Sequence, residues 1–193
     1  CEKAGLPCCG TVEQFDSLSN DKRRFKEICA GYGVPTPEAF NIDINFKRED
    51  LDKIVYPVMV KPADGSGGRG IMKCTNEAEL IEHYTDLYNS SPSKKIVCER
   101  YMGDENEIFI HYTINDGYCS LSSSFLKYKF DIEKSKAASC LFHMFSPKFI
   151  EEYKATEEKH IIDLINGLGI KNGNLMFQGF ADNGKLYFHE SGL

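Results

Sequence analysis

The chain has 193 residues, of which 41% are hydrophobic and 27% charged, with a formal net charge of −6. That balance suits one globular core or one domain of two lobes, and it argues against a general nucleic-acid binder, which needs clustered lysine and arginine against the phosphates. No apolar run approaches membrane-spanning length and no signal peptide is visible, so the expected setting is cytoplasmic, with neither membrane nor nucleic acid as partner. The eight cysteines, at 1, 8, 9, 29, 74, 98, 119 and 140, form no CxxC pair and no zinc-ligand spacing with histidine, and they read as reduced thiols. Because the first residue is Cys rather than Met, the chain is expected to be a piece of something longer.

Residues 1–20, punctuated by Gly5, Pro7, Gly10, Ser17 and Ser19, read as a connector. Asn20-Asp21 then offers a helix N-cap. Phe25, Ile28 and Cys29 give the apolar stripe of that helix, and Gly31 and Gly33 end it. Ala39–Ile44 reads as a short strand and Ile54–Lys61 as a second, with Pro57 favouring an edge or strand-start position. Gly70–Cys74 returns as a strand. Thr75-Asn76-Glu77 caps a helix to about Tyr88, with Leu80, Ile81, Tyr84, Leu87 and Tyr88 on one face. Lys95–Tyr101 and Glu107–Asn115 are strands, and the turn Asn115-Asp116-Gly117 pairs the latter with Tyr118–Phe125. Residues 126–150 read as an irregular polar loop able to shape a substrate site. Glu151–Leu168 is a helix, and Asn174–Ala181 with Lys185–Glu190 forms a last hairpin about Asp182-Asn183-Gly184. Hairpins dominate over βαβ units, which gives a mixed α+β class.

The chemistry concentrates in Tyr56–Ile71, where an apolar run ends in Lys61 and is followed by Gly65, Ser66, Gly67, Gly68, Arg69 and Gly70. Glycines let backbone amides crowd a phosphate, and a neighbouring ammonium supplies the counter-charge. The string is not GxxxxGK[ST], and a strand rather than a helix follows it, which excludes a P-loop and makes a Rossmann site improbable. Lys22, at a helix start, is by itself a solvated charge; with Lys61 it can hold phosphates from two sides, and Arg69 can add a third cation. Glu99, at a strand end before Arg100, Tyr101 and Met102, can bring backbone groups to an adenine edge while Met102 packs on the ring. Glu105 or Glu107 can accept from ribose hydroxyls, or either can be solvated. Gln178 and Glu190 fall at similar heights on the last hairpin. Glu190 lies among Leu186, Tyr187 and Phe188, and oxygen ligation of Mg²⁺ relieves the cost of its charge. His189 flanks it, with alternation pointing it the other way.

In order along about residues 20–190, Asn20-Asp21-Lys22, Gly33–Pro37, Tyr56–Pro62 with its glycine loop, Glu99–Glu105, and Phe177–Phe180 before Glu190 resemble the ATP-grasp superfamily, particularly its carbamoyl-phosphate-synthase-like and biotin-carboxylase-like branches. The resemblance implies two α+β lobes with antiparallel sheets gripping ATP between them. It divides the chain into 1–20 as a connector from a preceding lobe, 21–98 as the small lobe with a glycine flap, and 99–193 as a truncated large lobe. It implies ATP and Mg²⁺ as cofactors, with Lys61, Arg69 and Glu190 as catalytic groups. Lys22, Lys61, Gly65, Ser66, Gly67, Gly68, Glu99, Arg100, Tyr101, Met102, Gln178 and Glu105 or Glu107 would bind the nucleotide, and Gln178 and Glu190 the metal. The implied partners are a small-molecule carboxylate, a nucleophile, the remaining domains of the same longer chain, and a second copy if the protein is a homo-oligomer. Two departures stand out. Glu190-Ser191-Gly192 has glycine where the family carries asparagine, and the family's following arginine would fall past Leu193. The other reading is therefore a nucleotide-binding regulatory module with impaired catalysis.

Overall fold

A computed structural model describes residues 12–65, 68–103, 107–129, 140–145 and 147–192. In chain order, α1 (Val12–Phe15) runs into a π-helical turn (Asp16–Asn20), followed by α2 (Lys22–Gly31), β1 (Ala39–Phe40), α3 (Arg48–Leu51), β2 (Val58–Pro62), β3 (Met72–Cys74) and α4 (Glu77–Ser90). The chain continues through β4 (Ile96–Arg100), β5 (Glu107–Asn115), β6 (Tyr118–Lys129), β7 (Cys140–Met144), α5 (Pro147–Thr156), α6 (Glu158–Gly167), β8 (Gly173–Asp182) and β9 (Lys185–Gly192). The described residues divide into two compact units, one within Pro37–Gly103 and one within Cys1–Thr36 and Asp104–Leu193.

In the Pro37–Gly103 unit, four antiparallel strands lie in the order β1-β4-β2-β3. Strand alternation puts Val58, Val60, Cys74, Ile96 and Cys98 on one face, where they form a core with Leu80, Tyr84 and Leu87 of α4. Asn76 caps α4 by accepting from the Glu79 amide at 3.0 Å, and the Glu79 carboxylate accepts from the Thr75 amide at 2.7 Å. The Thr75 amide bond, with a second from the Thr75 hydroxyl at 2.9 Å, holds the Glu79 carboxyl below its ordinary range. The first strand is shorter than the expected 39–44 because Asp43 accepts from the Asn45 amide at 2.7 Å, an Asx turn that draws the backbone out of the sheet. The second starts only at Val58, after Pro57.

In the other unit, five antiparallel strands lie in the order β7-β6-β5-β8-β9. Ile108, Ile110, Tyr112, Leu175, Phe177, Leu186 and Phe188 join residues of α2, α5 and α6 in one apolar core. The two described hairpin loops have two residues in left-handed conformation, Asp116-Gly117 (φ 50° and 82°) and Asn183-Gly184 (φ 49° and 76°), as type I′ turns require. Asp21 caps α2 by accepting from the Arg23 and Arg24 amides at 2.9 and 3.2 Å. A Schellman motif ends the helix, with Gly33 at φ 73° and the Val34 amide donating to the Cys29 carbonyl at 2.9 Å.

Several expectations are corrected. Residues 12–20 are folded rather than a connector: Leu18 is buried in the core, and its carbonyl accepts from the Ser191 hydroxyl at 2.8 Å. Residues 1–11 lie outside the description. The segment from Asp21 to Thr36, expected in the small lobe, groups instead with the five-stranded sheet, because α2 buries Phe25 and Cys29 there and Phe25 meets the Phe177 ring at 6.4 Å. Within 126–150, β6 runs on to Lys129, β7 occupies Cys140–Met144 and α5 starts at Pro147. The helix expected over 151–168 begins four residues earlier, with Pro147 at the first helical position, and it breaks at Glu157.

The pairing of β8 with β9 shifts register between Gln178 and Gly179: Gln178 faces Glu190 while Gly179 faces Phe188, so His189 is an extra residue, a β-bulge. A Cβ on Gly179 would lie 2.4 Å from the Tyr187 carbonyl oxygen. Gly179→Ala is therefore expected to cost roughly 2 kcal/mol by overpacking against backbone. Gly192→Ala, whose Cβ meets only the flexible Met176 Cε at 3.3 Å, should fall well below that. Urea unfolding midpoints of the two variants check the contrast.

Candidate functional site

The unit within Pro37–Gly103 contributes one set of groups. Alternation in β2 and β4 turns Met59, Lys61, Val97 and Glu99 away from the α4 core. On that face Lys61 and Glu99 form an ion pair, and each residue is 3% exposed. Two side chains assigned from sequence to opposite ends of a nucleotide, phosphates and base, thus meet directly. A buried ammonium and carboxylate require one another, since either alone carries a desolvation cost of several kcal/mol. The chain leaves β2 just after Lys61 and enters the glycine loop. Gly65 is half-buried with the side chain of Pro62 against it, and Gly68 (φ 71°) and Arg69 are exposed. Gly70 also has φ 71°, and a Cβ there would sit 2.9 Å from Leu87 Cδ2, so the loop's return needs glycine. Ser66 and Gly67 lie outside the described residues.

At the end of β4 the Arg100 amide donates to the Glu38 carbonyl at 2.8 Å and the Tyr101 amide to the Pro57 carbonyl at 3.2 Å. Lys73 Nζ stands 4.1 Å from the centre of the Tyr101 ring, a cation–π contact. Met102 is half-buried and Gly103 has φ 86°. Burial pushes the thiol of Cys98 up to about 12 and that of Cys74 to about 11. Neither is an available thiolate nucleophile.

The other unit contributes a second set, on the sheet face opposite its helices. Glu107, Gln178 and Glu190 share that face: Gln178 Nε2 donates to Glu107 Oε1, and Glu190 faces Gln178 across the β8–β9 ladder. Of the two glutamates considered for a ribose, Glu107 is the one described, buried at 3% exposure; Glu105 lies outside the described residues. Lys22, first residue of α2 and 5% exposed, places Nζ 3.9 Å from Glu190 Oε2. The bulge decides this geometry. From the turn, Gln178 is four residues back and Glu190 five residues on, so a regular ladder would seat His189 opposite Gln178. His189 instead stacks on Phe180, with centroids 4.9 Å apart, on the Gln178 face, which corrects the alternation expected of it.

Sequence reasoning missed Lys127. It sits opposite Glu107 in the β5–β6 ladder with Nζ 3.5 Å from Glu107 Oε2, and its signal is the Phe125-Leu126-Lys127 alternation, in which only Leu126 joins the core.

A divalent ion can be weighed against these donors. Glu190 offers a carboxylate that is 28% exposed beside an ammonium at 3.9 Å, and Gln178 offers a carboxamide from the facing position. Both are hard oxygen donors, which suits Mg²⁺. Among the described residues no group of three His, Cys, Asp or Glu side chains comes together. The set fits a single ion that takes its remaining oxygens from phosphate and water.

Two antiparallel sheets with these helices are shared with ATP-grasp enzymes. The biotin carboxylase domain of the Hydrogenobacter thermophilus 2-oxoglutarate carboxylase, determined with MgADP and bicarbonate, superposes with a TM-score of 0.75 at 24% identity, over 100% of this chain and 43% of that one. Residues 21–116 match the family described as carbamoyl-phosphate synthase L chain, ATP binding domain. The 2-oxoglutarate carboxylase small subunit of H. thermophilus is 38% identical over 115 residues, 56% of this chain. The carbamoyl phosphate synthase large chain of Myxococcus xanthus is 27% identical over 193 residues, 97% of this chain. This chain spans 24% and 17% of the length of those two curated relatives. The chain shares the ATP-grasp fold and is similar to carbamoyl-phosphate-synthase-like and biotin-carboxylase-like members of that superfamily.

If Lys61 and Glu99 are interdependent, Lys61→Met should destabilise the protein by about 3 kcal/mol, because it strands a buried carboxylate. The double variant Lys61→Met/Glu99→Leu should recover most of that loss. Equilibrium urea unfolding of the wild type, both single variants and the double variant gives the coupling.

Proposed function

We propose that this chain binds Mg·ATP as the nucleotide-binding part of an ATP-dependent ligase that activates a carboxylate as an acyl phosphate for attack by a nucleophile. The observation carrying this reading is the buried Lys61–Glu99 pair at the root of a glycine loop, within the segment that matches an ATP-binding domain family. A buried lysine already oriented at the root of the loop can meet phosphate oxygens, and loop amides at Gly65, Ser66, Gly67 and Gly68 can donate alongside it. In this reading Arg69, on the exposed part of the loop, and Lys22 add positive charge, while Lys61, Arg69 and Glu190 are the groups most directly concerned with phosphoryl transfer. The β4 end, from Glu99 and Arg100 through Tyr101 to Met102, borders the base, and Glu107 accepts from ribose hydroxyls. Gln178 and Glu190 hold Mg²⁺, which when bound neutralises phosphate charge. Catalysis then rests on positioning and charge neutralisation, with no protein nucleophile.

The reading extends to a longer chain whose other domains complete the acceptor site, and to a reduced cytosolic setting. The first is supported by relatives several times longer than this chain, the second by the free thiols at Cys29, Cys74, Cys98 and Cys119. A second reading, a nucleotide-binding regulatory module, is favoured by one observation: Gly192 brings no side-chain oxygen to the end of β9 beside Glu190.

Isothermal titration with Mg·ADP tests the primary reading. The wild type should bind, and Arg69→Ala should weaken binding about tenfold, the loss of one charge-assisted contact. Glu190→Gln should bind ADP equally with Mg²⁺ and with EDTA, whereas the wild type prefers Mg²⁺. No heat from the wild type at any magnesium level rejects the assignment. A Cβ at Gly192 meets only the flexible Met176 Cε, at 3.3 Å, and Gly192→Asn should strengthen Mg²⁺ dependence. Phosphate release by the longer protein with candidate acids and amines separates the two readings: turnover favours the ligase, and nucleotide binding without turnover the regulatory module.

A further inference from the structure

Charge on the outer face of the five-stranded sheet is balanced in pairs. Lys127 Nζ stands 3.5 Å from Glu107 Oε2, and Lys22 Nζ stands 3.9 Å from Glu190 Oε2. Gln178, opposite Glu190, is neutral, and its Nε2 donates to Glu107, which leaves the carbonyl end of the carboxamide as the oxygen for a cation. Gly192, two residues beyond Glu190 on the same face of β9, adds no side-chain oxygen.

Lys22 stands there against the preference of its own helix. The first turn of α2 carries Lys22, Arg23 and Arg24 and no acid, whereas the positive end of a helix favours carboxylates. Asp21 offsets part of that charge through its cap on the Arg23 and Arg24 amides. Lys22 itself is 5% exposed, and an ammonium so placed is costly without an anion at hand. Phe25 and Cys29 fix α2 in the core, and the bulge at His189 turns Glu190 onto the polar face, so helix and strand together bring the pair within reach.

A lone dication at Glu190 would gain one carboxylate and one carboxamide and would meet an ammonium 3.9 Å from that carboxylate. A negative charge already shared with a positive one attracts a dication weakly. A nucleotide's phosphates supply the missing negative charge for both cations at once.

We propose that Lys22 guards Glu190: it keeps a free divalent cation off the carboxylate and turns to phosphate oxygens only when a nucleotide arrives, so that metal and nucleotide bind as one unit. The identity of the incoming polyanion rests on the Mg·ATP reading, to which the guard adds an order of binding. Linkage makes the coupling reciprocal: the factor by which nucleotide raises metal affinity is the factor by which metal raises nucleotide affinity.

Titration with Mn²⁺ alone, read by electron paramagnetic resonance, tests the guard, with Mg·ADP binding measured in parallel by calorimetry. Lys22→Met should bind Mn²⁺ at least tenfold tighter than the wild type, and Lys22→Gln should show the same gain. Lys22→Arg, which keeps the charge, should stay with the wild type, and Lys22→Met/Glu190→Gln should lose the gain. The Glu190 side chain is 28% exposed, so removing the lysine strands no fully buried charge, and circular dichroism verifies the fold of each variant. A gain that survives Glu190→Gln overturns the proposal. So does Mn²⁺ binding by the wild type that Glu190→Gln abolishes, a result that needs no Lys22 variant. A wild type that binds Mg·ADP, with no gain of Mn²⁺ binding in folded Lys22→Met, overturns the guard and leaves the nucleotide reading standing. The gain in Lys22→Met without any Mg·ADP binding by the wild type upholds the guard and rejects the nucleotide reading.

Discussion

A charged amine placed beneath a sheet has to be neutralised within the fold, and that requirement fixes Lys61 against Glu99. The consequences run outward from there. Lys61 and Glu99 must sit on the same face of adjacent strands, so β2 and β4 pair antiparallel with Met59 opposite Glu99 and Lys61 opposite Val97. Their common face must differ from the one packed on α4, so Val58, Val60, Ile96 and Cys98 take the alternate positions. The glycine loop then starts where β2 ends, one residue past the lysine. Packing and site geometry are two expressions of one period-two pattern.

The second unit obeys the same rule with looser charges. Glu107 engages Gln178 and Lys127, and Lys22 approaches Glu190 from the start of α2. The Glu190 side chain keeps 28% exposure where that of Glu99 keeps 4%, so it is the more available of the two to an incoming cation. One glutamate is committed to a partner inside the fold. The other is held at a rim.

Much of this was legible in the residues because local chemistry agreed with tertiary demand. The β5 strand, both type I′ turns and the caps of α2 and α4 arise from residues whose conformational preferences leave few alternatives: Asp-Gly and Asn-Gly at φ above zero, Asp21 and Asn76 with free side-chain oxygens. The set of site residues was legible from their order along the chain. Their pairing was not. Nothing near Glu99 in sequence says that it faces Lys61, because that contact depends on strand register and not on spacing. The end of β6 and the whole of β7 were hidden for a different reason: Leu126-Lys127-Tyr128-Lys129 alternates as a strand should, but residues 130–139 carry no glycine or proline to mark a hairpin turn before β7. Residues 12–20 looked like connector because small polar residues surround Leu18, the one side chain there known to be buried in the core.

The single supernumerary residue at 189 sets the phase of everything after it. Upstream, Leu186 and Phe188 point into the core; downstream, the phase is inverted, so that Glu190 emerges on the polar side and Ser191 turns inward to donate to the Leu18 carbonyl. Flattening the bulge with the sequence unchanged would slip the strand by one place, seating His189 opposite Gln178, driving a carboxylate into the hydrocarbon interior and casting a hydroxyl out. A one-codon deletion at 189 would instead regularise the ladder and leave the acid where it is, so a related chain can present the same acid at either strand length, provided the kink comes and goes with the extra residue.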